Sequence, residues 1–362
     1  MLSRRSGRVL PIDRRSFPRF DLPAGQDSRV EHEDHREEGR TPKSLVDNTI
    51  FPTGFLAVWK LKPMAPATRE WSTTMRKNTW ILMTTFLGLA SIAAQAATPK
   101  YDNLYVFGDS YCDVGNLFAL TSGFEPAAPY YAGRFSNGPI WLDHVAGYLG
   151  VPLKASALGG TDYAFGGAWV TAGQALTGVP SVPEQVEGYL VQHHGKADPN
   201  ALYVLEGGGN DILNTTTGSP EDLGYQIAYD VAKSELLLRE AGARHFVIPN
   251  LFNVGLLPAA AGNVSFAAAA SNATNAWEDF FLSAESLLED VHIIRINVFS
   301  LLNAVQTDPT HFGFTDVTDP CLTTAECSDP DHTFFWDTHH PTEFGHAFFA
   351  VTLENALASQ TN

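Results

Sequence analysis

The sequence predicts an α/β fold in which helices cover both faces of a mainly parallel sheet. Short apolar runs rich in β-branched and aromatic residues alternate with longer stretches whose apolar residues have helical spacing. Such alternation is typical of parallel sheets, because a helix usually makes the crossover between parallel strands. We find no internal repeat, no dinucleotide-binding glycine pattern after a strand and no phosphate-binding lysine loop.

Five short segments are predicted strands, and four longer ones are predicted helices. Ile227, Val231 and Leu238 share one face of the longest helix, and Gly242 follows it as a stop signal. Pro341 is expected in the first turn of the last helix. The strands are residues 103–107, 161–165, 201–205, 244–248 and 292–296, and the helices are residues 140–149, 221–241, 266–288 and 341–358.

The region 299–337 is the least regular stretch and is interpreted as a loop insertion near the functional site. It contains Cys321 and Cys327, which we expect to form a local disulfide in an exported protein. Cys112 is then left over. As a nucleophile it would need a base, whereas as a small buried residue it needs no partner, and we favour burial.

The N-terminal part of the chain has the layout of an export signal. Residues 75–96 combine a basic start, an apolar stretch and a small-x-small pattern ending at Ala96, as in a signal peptide; an uncleaved anchor is the alternative. Residues 1–74 lack helix or strand periodicity and read as a non-native start-site extension or a disordered one. We therefore expect a single domain over residues 97–362, secreted or periplasmic.

The charge of the predicted mature chain limits its partners. Residues 97–362 carry 8 Lys and Arg against 30 Asp and Glu, a formal charge of −22. Such a chain repels nucleic acid and anionic lipid, so we expect no nucleic-acid partner and no stable membrane insertion after signal cleavage. A neutral lipid head group remains compatible, and we expect a monomer.

Ser110 lies in the turn directly after the first predicted strand. Open α/β sheets place their chemistry at the carboxyl ends of strands, so a serine here is a candidate nucleophile. The structural alternative is an ordinary helix N-cap in a Gly-Asp-Ser turn. No Gly-x-Ser-x-Gly is present, which argues against the α/β-hydrolase type of nucleophile turn.

Two glycine-rich turns and a late Asp-x-x-His segment could complete an acyl-transfer site. Backbone N–H groups of Gly167 and Ser110 and the Asn210 amide could hold an oxyanion, although the glycines could also serve strand ends alone. His340 could take the serine proton, with Asp337 orienting its imidazole. A zinc site is the rival interpretation, but it would leave Ser110 unexplained, so we expect no metal and no cofactor. The residues that suggest zinc are His332, Asp337, His339, His340 and His346.

Five blocks occur in one order along the predicted mature chain, and together they resemble the GDSL, or SGNH, family of serine esterases and lipases. Two positions depart from the family pattern: Tyr111, which should not affect the chemistry, and Asp162, where asparagine is usual. The second leaves open whether Gly166 or Gly167 is the oxyanion donor. The blocks are FGDSYCDVGN (107–116), GRFSNG (133–138), DYAFGGA (162–168), GGND (208–211) and DTHHPT (337–342).

The resemblance implies a flavodoxin-like, three-layer α/β/α SGNH-hydrolase fold with about five parallel strands. It implies Ser110 as nucleophile, His340 and Asp337 as the rest of a triad, and Gly167 and Asn210 as oxyanion donors. The implied activity is hydrolysis of carboxylic esters through an acyl-serine, on a small-molecule or lipid substrate of the lipase, esterase or lysophospholipase type.

The substrate remains open between lipid and carbohydrate esters. A carbohydrate acetylesterase would use the same mechanism, and a non-catalytic binding protein on this scaffold is the remaining alternative. Aromatic residues near the blocks could line an acyl groove, stack on sugar rings or belong to the core. They are Phe135, Tyr163, Phe165, Trp169 and Phe335.

Overall fold

The computed structural model describes residues 101–171, 178–285, 291–323 and 329–360, and over them it confirms the α/β fold with a parallel sheet. Four strands lie side by side in sequence order, and each neighbouring pair is parallel. They are β1 (Leu104–Phe107), β2 (Leu202–Leu205), β3 (His245–Pro249) and β4 (His292–Ile296).

β1 and β2 lie in the core and are covered on both faces. Every residue of β1 and β2 is buried. This is why both strands read as continuous apolar runs and do not alternate with polar residues. Tyr105 of β1 stacks on Tyr203 of β2, with ring centroids 5.4 Å apart, so aromatic packing joins these two neighbouring strands.

The predicted second strand is reduced to a short edge segment. Residues 161–165 run beside β1, where the Val106 N–H donates to Thr161 O and the Tyr163 N–H donates to Val106 O. Its pairing is limited to isolated parallel bridges from Asp162 to Val106 on one side and to Ala155 on the other. The Asn116 amide also donates to the carbonyls of Asp162 and Ala164, 2.8 Å each. The sheet therefore has four strands among the described residues, where about five were expected.

Eight α-helices are found in the described residues, and the predicted ones are among them. Residues 286–288, at the end of one prediction, lie outside the described residues. The helices are α1 (Asn116–Leu120), α2 (Trp141–Leu149), α3 (Val182–Gln192), α4 (Gly209–Asn214), α5 (Pro220–Ala241), α6 (Val264–Glu285), α7 (Val298–Thr307) and α8 (Glu343–Ser359).

The helices pack in two groups around the sheet. α3, α5 and α6 contact one another in sequence order, and α2 and α8 form a second group in which α8 also contacts β4. Gly224 of α5 lies where α6 crosses, so close that a Cβ atom there would be 2.6 Å from the Thr274 backbone nitrogen. Glycine at this position allows the two longest helices to approach.

Three local predictions need correction. α3 was not predicted, although Ser181 and Glu184 form a capping box whose pattern is visible in the sequence. α7 occupies the start of the region interpreted as a loop insertion. The last helix is capped by Thr342, which accepts from the Gly345 N–H, so Pro341 lies before the helix and not in its first turn.

The cysteine predictions have different outcomes. Cys112 is free and buried, as favoured from the sequence. Cys321 is disulfide-bonded, whereas Cys327 lies outside the described residues. The predicted extension 1–74 and signal peptide 75–96 also lie outside them, so these and the single domain over 97–362 stay predictions. Within the described ranges, no helix combines the length and apolarity needed to cross a membrane.

We predict that Gly224→Ala lowers the free energy of unfolding by about 1–3 kcal/mol, because the added methyl group collides with the α6 backbone. Gly188→Ala in α3 is the matched control. A Cβ at Gly188 meets nothing within 4 Å, so this variant should gain up to about 1 kcal/mol from helix propensity. Urea unfolding measures both, and equal effects of the two variants would contradict the close α5–α6 contact.

Candidate active site

Ser110 lies in a tight turn at the carboxyl end of β1. The Asp109 carbonyl accepts from the backbone N–H groups of Cys112 and Asp113, which closes the turn. The Gln185 amide of α3 holds Gly108 by two hydrogen bonds of 2.9 Å, one to its N–H and one to its carbonyl. The serine turn is therefore held from both sides. It lies at the carboxyl end of a strand, where the sequence predicts it.

Ser110, His340 and Asp337 form one hydrogen-bonded chain. The His340 Nε2 is 2.7 Å from the Ser110 Oγ, and its Nδ1 is 2.7 Å from the Asp337 Oδ2. The Asp337 Oδ1 also accepts from the His340 backbone N–H at 2.7 Å. Because the carboxylate occupies the Nδ1 side, these partners assign the proton to Nδ1 and leave Nε2 to accept from the serine hydroxyl.

Two aromatic side chains support these hydrogen bonds, and sequence reasoning gave neither of them this role. The Tyr130 hydroxyl donates to the Asp337 Oδ2 at 2.7 Å. The Phe135 ring lies 4.9 Å from the His340 ring between centroids. Tyr130 is 207 positions from Asp337 and belongs to none of the five blocks, so no sequence signal marks it.

Asp337 is held as a carboxylate. Burial raises its pKa, but the His340 charge and the hydrogen bonds from His340, the His339 N–H and Tyr130 outweigh burial, so the pKa lies well below its usual range. A permanent negative charge beside Nδ1 stabilises an imidazolium and holds the ring orientation.

The Gly167 turn offers an unengaged donor. Gly167 has φ +78°, a conformation that favours glycine. The neighbouring Gly166 N–H donates to the Asp113 Oδ2 at 2.8 Å. Among the described residues, the backbone N–H groups of Gly167 and Ser110 have no hydrogen-bond acceptor. This difference favours Gly167 over Gly166 as the oxyanion donor.

Asn210 projects from the start of α4 to the same place. Its Nδ2 donates to the Asp109 Oδ2 at 3.2 Å and to the Ala168 carbonyl at 3.0 Å. The adjacent Asp211 accepts from the backbone N–H groups of Val170 and Thr171, at 2.9 and 2.8 Å. These bonds tie α4 to the segment that carries Gly167. In this state both N–H groups of the Asn210 amide are engaged.

Asp162, the departure from the usual asparagine, performs a supporting function. Its Oδ2 accepts from the Val114 N–H at 2.7 Å and its Oδ1 from the Ala164 N–H at 2.9 Å, so it joins the serine turn to the Gly167 turn. Burial, and next the charge of Asp113, raise the Asp162 pKa well above its usual range. The substitution preserves the connection and adds a buried acid.

Tyr111, the other departure, lies close to the chemistry. Its hydroxyl donates to the His339 carbonyl at 2.6 Å, and its ring centroid is 5.8 Å from that of His340. Tyr111 therefore packs beside the base, and the expectation that it does not affect the chemistry stays a prediction.

A cavity of about 360 Å³ opens above Ser110. Of the five aromatic residues predicted near the site, Phe135 lines the cavity, whereas Tyr163 and Phe335 belong to the buried core. Sequence reasoning missed the rest of the apolar lining. Most of these residues lie outside the five blocks, and Tyr111, which lies inside one, lines the cavity only because of how its side chain is oriented. The rest of the lining consists of Tyr111, Leu117, Tyr130, Leu213, Phe252 and Leu257.

The histidines that suggested a zinc site do not converge with other ligands among the described residues. His332 pairs with Asp329 at 2.8 Å on the surface. His346 is fully buried, and burial followed by the His340 charge lowers its pKa to about 3. His339 is exposed and His346 is an internal residue, so they have different environments.

A serine, a histidine and a carboxylate are linked by hydrogen bonds at the carboxyl edge of a parallel sheet. This is the arrangement of residues in a serine-hydrolase site. The model of the GDSL-like lipase/acylhydrolase family matches residues 104–352. This chain belongs to that family.

Two relatives show the range of similarity. The chain is 27% identical over 291 residues to the thermolabile hemolysin of Vibrio parahaemolyticus serotype O3:K6, which covers 73% of the chain and 65% of the hemolysin. It is 36% identical over 186 residues to lipase 1 of Photorhabdus luminescens, covering 50% of the chain and 27% of the lipase. The chain thus spans less than two thirds of the length of either relative.

Among solved structures, the chain is similar to Est24, a carbohydrate acetylesterase from Sinorhizobium meliloti. The TM-score is 0.41 at 12% identity, and the match covers 71% of this chain and 99% of the acetylesterase.

We predict that Tyr130→Phe lowers kcat for p-nitrophenyl butyrate by about 10-fold, since Asp337 loses a charge-assisted hydrogen bond. The neighbouring, exposed Tyr131→Phe is the control and should retain wild-type kcat. Steady-state kinetics with both variants test this, and equal rates for Tyr130→Phe and wild type would show that the hydroxyl does not support Asp337.

Proposed function

We propose that this chain is an exported serine esterase of the lipase or lysophospholipase type that acts through an acyl-serine intermediate. The observation that carries the proposal is the chain of hydrogen bonds from Ser110 through His340 to Asp337 at the base of an apolar-lined cavity. Export is supported by the signal-like segment 75–96.

In the first half-reaction His340 accepts the proton of Ser110. As the Oγ attacks the ester carbonyl, the Oγ–H proton moves to Nε2, and a C–O bond forms to give a tetrahedral oxyanion. Asp337 stabilises the resulting imidazolium. When the intermediate collapses, the bond to the alkoxy oxygen breaks and Nε2 returns the proton to the departing alcohol.

Water completes the cycle by the same route. His340 takes a proton from water, the hydroxyl adds to the acyl carbonyl, and collapse releases the carboxylic acid while the proton returns to the Ser110 Oγ. Both tetrahedral intermediates need donors for the oxyanion. The N–H groups of Gly167 and Ser110 are available, and Asn210 can donate when the oxyanion replaces the carbonyl of Ala168 or the carboxyl of Asp109 as its acceptor.

The cavity favours an apolar acyl group and disfavours an anionic substrate. Its lining is rich in aromatic and leucine side chains, and its acids include Glu125, Asp109 and Asp337. We therefore propose a neutral or zwitterionic lipid ester as the substrate. The name of the Photorhabdus luminescens relative, lipase 1, agrees with a lipid substrate for that protein.

We predict that Ser110→Ala abolishes hydrolysis of p-nitrophenyl esters by residues 97–362, and that wild type prefers butyryl or longer chains to acetyl. The serine oxygen is the only proposed nucleophile, and the apolar lining should bind longer acyl groups better. Initial rates from acetyl to palmitoyl test both points. Full activity of Ser110→Ala would overturn the mechanism, and an acetyl optimum would favour a carbohydrate acetylesterase.

We predict that Asn210→Ala lowers kcat by about 100- to 1,000-fold with little change in KM, as expected when an oxyanion donor is lost. The matched control is Asn214→Ala, one turn further along α4, where the amide donates to the Asn210 carbonyl and is exposed. A similar loss in both variants would indicate disruption of the helix and not of the oxyanion site.

A further inference from the structure

We infer that Glu206, in its neutral form, is a positioning residue that keeps a single negative charge on the Asp109–Glu206 pair and thereby orients the Asn210 amide. The inference rests on the proposed function of Ser110 and Asn210. Glu206 lies outside the five blocks, and the proposed mechanism does not use it.

Strand pairing puts Glu206 behind the nucleophile. Phe107 and Leu205 are partners in the β1–β2 register, and the Glu206 N–H donates to the Phe107 carbonyl at 3.0 Å. The Glu206 Oε2 then lies 3.5 Å from the Asp109 N and accepts from the Cys112 thiol at 3.4 Å. The residue directly after β2 therefore supports the turn directly after β1.

The carboxyl group of Glu206 lies next to Asp109, with its Oε2 3.5 Å from the Asp109 N, and each of the two acids changes the pKa of the other. Two carboxylates in contact cannot both ionise without a large penalty, so such a pair shares one proton near neutral pH. Burial, followed by the Asp109 charge, raises the pKa of Glu206 well above its usual range. Burial raises the pKa of Asp109 to about 6, although several donors oppose this.

The hydrogen-bond partners decide which residue keeps the proton. Asp109 accepts from the Tyr111 N–H at 3.0 Å and from the Asn210 amide at 3.2 Å. It is also stabilised by the charge of His340. Among the described residues, Glu206 accepts only from the weak thiol donor of Cys112 and the long Asp109 N–H contact. The charge therefore belongs on Asp109, and the Glu206 hydroxyl donates to it.

This assignment gives Glu206 an influence on catalysis. A charged Asp109 accepts from the Asn210 Nδ2 and so fixes which side of the amide presents its N–H groups. Loss of the Glu206 proton would add a second negative charge beside the developing oxyanion, which raises the barrier. kcat should therefore fall as Glu206 ionises at alkaline pH, while KM changes little.

The other titratable groups that face the pair are accounted for. Tyr111 and Cys112, from the same turn, have pKa values raised well above 10 and 9 by burial and by nearby carboxylates, so they ionise at higher pH than usual. Asp211, from α4, raises the pKa of Asp109. His340 and Asp337, from the loop before α8, complete the set.

The test is the pH dependence of kcat for p-nitrophenyl butyrate with Glu206→Gln, which stays neutral and can still donate to Asp109. We expect wild-type kcat to fall at alkaline pH, and Glu206→Gln to lack this fall while retaining kcat at pH 7 within about 3-fold. Glu206→Ala should lose about 10-fold in kcat at every pH. Glu187→Gln, exposed on α3, should keep the wild-type profile.

A second measurement does not depend on activity. Because the folded state binds the Glu206 proton more tightly than the unfolded state, wild-type stability should fall as pH rises above the usual carboxyl range. In Glu206→Gln, the thermal unfolding midpoint should change less with pH over that range. If Glu206→Gln does not fold, Asp109→Asn replaces it: ionisation of Glu206 then leaves one negative charge on the pair and not two, so the alkaline fall should be absent from its residual kcat.

The outcomes separate the two proposals. Ser110→Ala is measured in the same series, and activity that survives in it overturns the proposed function. Ser110-dependent activity with the same alkaline fall in wild type and Glu206→Gln overturns only the inference about Glu206. A wild-type kcat that stays constant into the alkaline range also overturns it.

Discussion

The parallel pairing of β1 with β2 is the constraint on which the site depends. Two parallel strands in register end at the same edge of the sheet, so the residues that follow them must meet there. Ser110 follows the first strand and Glu206 and Asn210 follow the second. A shift of one residue in this register would move the end of β2 relative to the end of β1. The Asn210 amide would then no longer lie beside the serine.

Buried carboxylates hold the loops that the strands bring together. Asp113 and Asp162 accept backbone N–H groups from the serine turn and the Gly167 turn, and Asp211 accepts those of Val170 and Thr171. Each bond uses a backbone donor that would otherwise be unsatisfied away from water. This network fixes the donors before substrate binds, which is the condition for effective oxyanion stabilisation.

The same choice of side chain makes the site rich in acid. Asp337 stays charged because hydrogen-bond donors from His340, His339 and Tyr130 surround it, whereas burial and the neighbouring Asp109 carboxyl raise the pKa of Glu206. The two acids thus differ in environment and not in chemistry. An acidic interior in a chain of formal charge −17 agrees with the neutral or zwitterionic substrate that we propose.

The sequence by itself determined that strands and helices alternate, because the composition of the strands carries that signal. It also identified Ser110, His340 and Asp337 as candidate site residues, because they lie in local blocks that occur in a fixed order. It did not determine the Tyr130 bond to Asp337 or the contact of Glu206 with Asp109. Both join residues far apart in the chain, and no local pattern encodes which distant side chain fills a given space. Only the tertiary structure decided those contacts, because register and packing set them.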